Sequence, residues 1–80
     1  MELFLYYKKG CPYCEKVFDY LDKLKLDIPL KNIDESSEVR NELISIGGKA
    51  QVPCLIIDGK AMYESNDIIK WFSENINSLK

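Results

Sequence analysis

The sequence predicts an α/β fold in which three helices flank a four-stranded mixed sheet, in the order β-α-β-α-β-β-α. Short apolar runs typical of strands alternate with longer segments whose apolar residues recur every three or four positions, as on one helix face. The dipeptide Asp58-Gly59 is a strong hairpin signal between the last two strands. Strand–helix–strand units give parallel strands and a hairpin adds an antiparallel one, so the sheet is expected to be mixed. Eighty residues fit one domain, predicted over residues 1–80.

The first half of the chain contains two predicted strands around a helix. Leu3 to Tyr7 is a continuous apolar, β-prone run, which predicts a buried strand. Pro12 suits the first turn of a helix, and the apolar spacing extends that helix to about Leu24. Residues 26–33 alternate in polarity and predict a second strand, in which Pro29 removes one hydrogen-bond donor from the ladder.

The second half contains a helix, a hairpin and a final helix. The polar residues 34–37 offer a cap for a helix that Gly47-Gly48 would end. Val52 to Ile57 is predicted to be the third strand, and Lys60 to Tyr63 the fourth. The last helix is expected to be capped by Ser65 or Asn66 and to pack through Ile68, Ile69, Phe72, Ile76 and Leu79.

Composition and charge argue against several classes of function. The net charge is −2 and no basic run occurs, so a nucleic-acid partner is not expected. No apolar segment approaches the ~20 residues that cross a bilayer, so no membrane partner is expected either. The N-terminal segment lacks the basic region and the cleavage site of a signal peptide. Three cysteines without an export signal do not suggest a disulfide framework and point to a reducing cytoplasm.

Cys11 and Cys14 form the motif with the clearest chemistry. Cys11 stands at the start of the first helix, where unpaired N–H groups and nearby Lys8 favour the thiolate, the nucleophilic form. Cys14 lies one turn further in and suits a resolving thiol, although two inert, packed thiols are the alternative. Structural zinc needs four ligands, and this chain has no histidine and only Cys54 to spare, so no metal is expected.

Taken together, these motifs resemble the glutaredoxins over essentially the whole chain. The resemblance is carried by Cys11-Pro12-Tyr13-Cys14, by Lys8 three residues earlier, and by Gly47-Gly48 shortly before Val52-Pro53. It implies a thioredoxin fold with Pro53 in a cis peptide bond beside the cysteine loop, where the residues alone would allow an ordinary strand-starting proline. It also implies a glutathione-dependent thiol–disulfide oxidoreductase, in which Cys11 attacks and Cys14 resolves, acting on disulfide-bearing or glutathionylated proteins.

The resemblance further implies a groove for glutathione beside Cys11. Val52 would pair its backbone with the substrate cysteine, while Lys8 and Arg40 would meet a glutathione carboxylate. Tyr13 would form a wall of the groove. Arg40 could equally be a solvated helix charge, and Tyr13 a partly exposed aromatic residue of the helix.

The turn before the last helix departs from the usual glutaredoxin pattern, because Tyr63 and Glu64 stand where two glycines are common. The combination of Gln51-Val52-Pro53 with Glu64-Ser65 is instead similar to the N-terminal domain of glutathione transferases. In that domain the Glu-Ser or Gln-Ser pair is implied to hold the γ-glutamyl end. A helix N-terminus with a hydroxyl suits a carboxylate, and Glu64 or Asp67 can accept an ammonium. Asn66 belongs to the same turn, and Ser65 could serve only as an N-cap.

Other functions stay open at this point. One is a protein-specific electron donor supplied by thioredoxin reductase, which needs no glutathione groove. Another is a dimer bridged by a [2Fe–2S] cluster through Cys11 and glutathione, which Pro12 disfavours. A transferase is not expected, because 80 residues leave no room for its helical second domain. Cys54 is interpreted as a small core residue, with glutathionylation or an intermolecular disulfide as alternatives. The expected state is a monomer.

Overall fold

The computed structural model describes residues 2–79, which form four strands and three helices in the predicted order. The α/β class and the order of elements are therefore confirmed. The elements are β1 (Leu3–Tyr7), α1 (Pro12–Leu24), β2 (Leu30–Asn32), α2 (Ser37–Gly47), β3 (Cys54–Ile57), β4 (Lys60–Met62) and α3 (Ser65–Leu79). Within this part of the chain, no helix has the length and apolar character needed to cross a membrane.

The sheet is mixed, with the strand order β2-β1-β3-β4. Strand β1 pairs in parallel with β2 and antiparallel with β3, and β3 pairs antiparallel with β4. The predicted hairpin turn is confirmed: Asp58 (φ 48°) and Gly59 (φ 86°) both adopt the left-handed conformation. Two such residues match the right-handed twist of the paired strands, which explains the strength of this short signal.

The second strand is shorter than predicted. Only Leu30–Asn32 of the predicted span 26–33 pairs with β1. Leu26 instead closes the C-terminal end of α1 through its backbone N–H, and Pro29 contributes only its carbonyl, which accepts a 3.0 Å bond from Leu5 N. Since proline cannot donate to a ladder, regular pairing begins after it.

Three other boundaries also differ from the prediction. Strand β3 begins at Cys54, so Val52 and Pro53 precede it, and β4 ends at Met62. The expectation that Ser65 or Asn66 caps α3 is wrong. Ser65 is already helical, and the Glu64 carbonyl accepts the first bond, from Ile68 N at 3.0 Å. Glu64 therefore occupies the N-cap position.

Each face of the sheet buries its own cluster of side chains. The face covered by α1 and α3 buries Leu5, Val17, Leu21, Leu55, Ile68 and Phe72. The opposite face, covered by α2, buries Tyr6, Ile33, Leu43, Cys54 and Ile56. Successive residues of β1 and β3 enter opposite clusters, which is why both strands are continuous apolar runs rather than alternating patterns.

A polar cluster attaches helix α2 to the sheet. The Tyr6 hydroxyl donates to Glu42 Oε1, and Lys31 Nζ lies 2.6 Å from the same oxygen. The Lys31 ammonium also stands 4.4 Å from the centroid of the Phe4 ring. Burial and the Glu42 carboxylate raise the pKa of Tyr6 well above its usual value, so this hydroxyl remains a hydrogen-bond donor.

Candidate functional site

The cysteine loop places Cys11 at the N-cap of α1. Gly10 (φ 78°) turns the chain after β1, and Cys11 has extended backbone angles, with φ −91° and ψ 112°. The Cys11 sulfur accepts a hydrogen bond from the Cys14 backbone N–H at 3.3 Å. Pro12 is the first helical residue, where its missing N–H costs no bond. The Cys11 sulfur therefore lies at the helix N-terminus, where free N–H groups and a partial positive charge collect.

Cys11 and Cys14 differ in their access to solvent. Cys11 is 6% exposed and borders an open cavity, whereas Cys14 is completely buried. Burial, reinforced by the neighbouring Cys11, raises the pKa of Cys14 to about 12. At neutral pH Cys14 is therefore a protonated thiol, and Cys11 is the sulfur that an incoming molecule meets first.

The cavity beside Cys11 has a volume of about 510 Å³. Its walls include Lys8, Arg40, Gln51 and Val52, four of the residues predicted for a binding groove. Lys8 and Arg40 are exposed and bring positive charge to this side. Arg40 is also held by Asp34, with 3.4 Å between Nη2 and Oδ1.

A second cavity of about 270 Å³ shares Gln51 and Val52 with the first. Its walls are Tyr13, Gln51, Val52, Pro53, Glu64, Ser65 and Asn66. The peptide bond between Val52 and Pro53 is cis, as the resemblance implied. Ser65 is almost buried at the start of α3, while Tyr13 is 65% exposed. The shared wall makes the two cavities adjoining parts of one groove.

Among the residues predicted for the glutathione groove, Asp67 alone borders neither cavity. It lines a separate surface depression with Met62, Lys70 and Trp71. Residues 64 to 67 form the first turn of a helix, so successive side chains point about 100° apart and cannot all face one groove. Glu64 is consequently the carboxylate that the structure offers at this end.

Sequence reasoning missed Lys16. Its ammonium donates to Asn66 Oδ1, so it connects α1 to the turn that forms one wall of the second cavity. A usable signal was present: Lys16 is three residues after Tyr13, and such pairs lie on the same side of a helix. The hydrogen bond from the Tyr63 hydroxyl to the Lys49 carbonyl was missed as well.

Cys54 lies in the cluster covered by α2 and has no exposed surface. Burial raises its pKa to about 11. These surroundings favour its interpretation as a small core residue. Among residues 2–79, no group of three or more histidine, cysteine or acidic side chains is arranged to hold a metal ion.

Comparison with known proteins decides the family. The family model described as Glutaredoxin matches residues 3–62, three quarters of the chain. The chain belongs to the glutaredoxin family. Membership supports thiol–disulfide oxidoreductase activity, and the sheet order together with the cis proline is the thioredoxin fold.

Two relatives agree with this assignment. A glutaredoxin-like 8.6 kDa protein of the rubredoxin operon of Clostridium pasteurianum is 29% identical over 62 residues, which cover 78% of this chain and 83% of the relative. Glutaredoxin-1 of Saccharomyces cerevisiae is 31% identical over 74 residues, which cover 84% of this chain and 67% of the yeast protein.

The glutaredoxin also resembles part of a larger solved structure. Glutathione transferase Omega 3C from Trametes versicolor superposes with a TM-score of 0.83 and 25% identity. The match covers all of this chain but only 36% of the transferase. The likeness to transferases expected from Gln51-Val52-Pro53 and Glu64-Ser65 thus extends to the backbone of the whole domain.

Proposed function

We propose that this glutaredoxin is a glutathione-dependent oxidoreductase that reduces glutathione mixed disulfides and protein disulfides. The observation that carries the proposal is the position of Cys11. Of the three thiols, Cys11 alone borders the groove, and Cys14 and Cys54 have no exposed surface. The family match and the basic and acidic ends of the groove support glutathione as the reductant.

The charges of the groove suit those of glutathione. Lys8 and Arg40 on one side would attract the glycine carboxylate. On the other side, the N-terminus of α3 and the Ser65 hydroxyl would receive the γ-glutamyl carboxylate, and Glu64 would receive the ammonium. Between them, the free backbone of Val52 would pair with the cysteine of the tripeptide.

The remaining wall residues would fix the orientation of the tripeptide. Tyr13 offers an exposed aromatic ring to the cavity that Gln51 and Pro53 also line. The Asn66 amide oxygen is already engaged by Lys16, which leaves its N–H groups free to meet a carboxylate. Burying the ends of glutathione in this way would place its sulfur near Cys11.

The proposed reaction with a mixed disulfide has two steps. The Cys11 thiolate attacks the glutathione sulfur, the mixed disulfide breaks, and the substrate leaves as a thiolate that takes up a proton. A second glutathione thiolate then attacks the glutathione sulfur bound to Cys11. Oxidised glutathione leaves, and Cys11 returns as a thiolate. Overall, the mixed disulfide and one free glutathione give the reduced substrate thiol and oxidised glutathione.

A protein disulfide would require Cys14. Cys11 attacks one sulfur of the substrate and forms a mixed disulfide with it. Cys14 loses its proton, attacks the Cys11 sulfur and releases the second substrate thiol, leaving a Cys11–Cys14 disulfide. Two glutathione molecules reduce that bond. Both routes suit the reducing cytoplasm, which remains the predicted location.

Turnover of a small glutathione mixed disulfide tests the proposal. Cys11→Ser is expected to abolish turnover, Cys14→Ser to retain it, and Cys54→Ala to leave it close to wild type as a matched thiol control. Coupling to glutathione reductase should support turnover, and coupling to thioredoxin reductase should not. A Cys14→Ser variant as inactive as Cys11→Ser would contradict the first route, and a preference for thioredoxin reductase would contradict glutathione dependence.

A further inference from the structure

Tyr63 stands between the two segments that form the walls of the second cavity. It follows β4 and directly precedes Glu64, the N-cap of α3. Its hydroxyl donates a 2.9 Å hydrogen bond to the Lys49 carbonyl, across 14 residues of sequence. Lys49 in turn begins the short segment that leads to Gln51 and Val52.

Two further contacts hold the Tyr63 ring in this position. The Lys49 ammonium lies 4.5 Å from the ring centroid, a favourable cation–π distance. The hydroxyl end of the ring lies against Gly47, the last residue of α2. A methyl group added at Gly47 would lie 2.8 Å from Tyr63 Cζ, closer than real contacts allow. Gly47 therefore leaves room for the ring, while Gly48 (φ 88°) makes the turn that ends the helix.

The ring also reaches the core of the sheet. It packs on the cluster under α2, which includes Cys54 and the partly buried Val52. Tyr63 thus contacts the end of α2, the segment after it and the first residue of β3. These contacts surround the stretch Lys49–Val52, which has no strand or helix of its own to hold it.

We infer that Tyr63 is a positioning residue, which sets the Gln51–Val52 side of the groove at a fixed distance from the Glu64–Asn66 side. The inference rests on the glutathione-dependent reaction proposed above. A ligand that touches both sides binds best when their spacing is set beforehand, because ordering a loose segment on binding costs affinity. Tyr63 touches no reacting atom, so it should influence substrate capture rather than the chemical step.

The test compares Tyr63→Phe with wild type in steady-state turnover of a small glutathione mixed disulfide. Removing only the hydroxyl should raise KM by about fivefold, the effect of one lost hydrogen bond, with kcat within about twofold. Gly47→Ala, whose methyl group would displace the hydroxyl end of the ring, should also raise KM. Tyr20→Phe is the matched control, since Tyr20 is half-buried on the opposite face of the sheet and should change neither constant.

Amide hydrogen exchange supplies an independent readout. Exchange at residues 49–52 should accelerate in Tyr63→Phe relative to wild type and Tyr20→Phe. Unchanged KM and unchanged exchange would overturn the inference, as would equal losses of kcat and folded protein with no change in KM. If wild type fails to turn over the mixed disulfide, the proposed function is wrong and the inference falls with it. An active wild type with an unaffected Tyr63→Phe overturns the inference alone.

Discussion

The contact between Gly47 and Tyr63 predicts that the effect of Gly47→Ala on stability changes sign when the Tyr63 side chain is removed. Gly47 is helical and has no left-handed φ, so alanine suits its backbone. Apart from neighbours within the helix, the three heavy atoms nearest to the added methyl all belong to the Tyr63 side chain. We expect Gly47→Ala to destabilise wild type but to stabilise a Tyr63→Ala variant.

The magnitudes follow from the competing effects. Without an obstacle, glycine to alanine in a helix stabilises by about 0.5–1 kcal/mol. In wild type the ring must move or the helix end must shift. Moving the ring loses about 1 kcal/mol for the hydrogen bond to Lys49 and about 1 kcal/mol or more of burial; shifting the helix costs about 1–3 kcal/mol. The net change in wild type is a loss of about 1–2 kcal/mol, so the coupling energy is about 2 kcal/mol.

Urea unfolding followed by circular dichroism measures this coupling in a four-protein cycle: wild type, Gly47→Ala, Tyr63→Ala and the double variant. Gly48→Ala is the control. It is strained by its positive φ but meets nothing within 4 Å, so its cost of about 1 kcal/mol should be the same with or without Tyr63. Equal effects of Gly47→Ala in the two backgrounds would refute the reasoning.

Three further predictions concern charge. Burial raises the pKa of Cys54 from 9.0 to about 11, so a stabilising contribution on the order of 2 kcal/mol, fully present below pH 9, is lost as pH rises towards 11. Cys54→Ala should flatten that part of the pH–stability curve from urea unfolding. Lys31 lowers the pKa of Glu42 from 4.5, so stability present above that pH is lost below it, and Glu42→Gln should flatten the acid part. Asp34→Ala releases Arg40 and should lower KM for a glutathione mixed disulfide by up to about threefold; an unchanged KM would mark Arg40 as a solvated charge.

Local patterns were sufficient to predict the order of elements. The dipeptide Asp58-Gly59 fixes a hairpin because few residues adopt two left-handed conformations in succession. Pro12 and the spacing of apolar residues after it fix the start and the buried face of α1, since both depend on neighbours within a few residues. Cys11 and Cys14 could be placed at the start of α1 for the same reason.

Features that depend on distant residues could not be predicted. Nothing near Gly47 in the sequence shows that a tyrosine 16 residues later occupies the space beside it. The contact of Lys16 with Asn66 needs the packing of α1 against α3, which periodicity alone does not align. The position of Asp67 away from the groove depends on where α3 begins, and that boundary was predicted one to two residues too late.

The burial of Cys14 bears on which of the two proposed routes prevails. Burial holds the pKa of Cys14 far above neutral pH, so this thiol is protonated in the resting protein. Once Cys11 is held in a disulfide, its contribution to that raised pKa disappears, but burial is the larger cause and remains. Free glutathione in solution has no such penalty, and a thiol attacks fastest when its pKa lies near the ambient pH. In the proposed reaction, we therefore expect a second glutathione to release the Cys11 adduct more often than Cys14 closes the disulfide. Cys14 should matter for protein disulfides, because one sulfur of such a substrate stays bonded to Cys11 after the first attack.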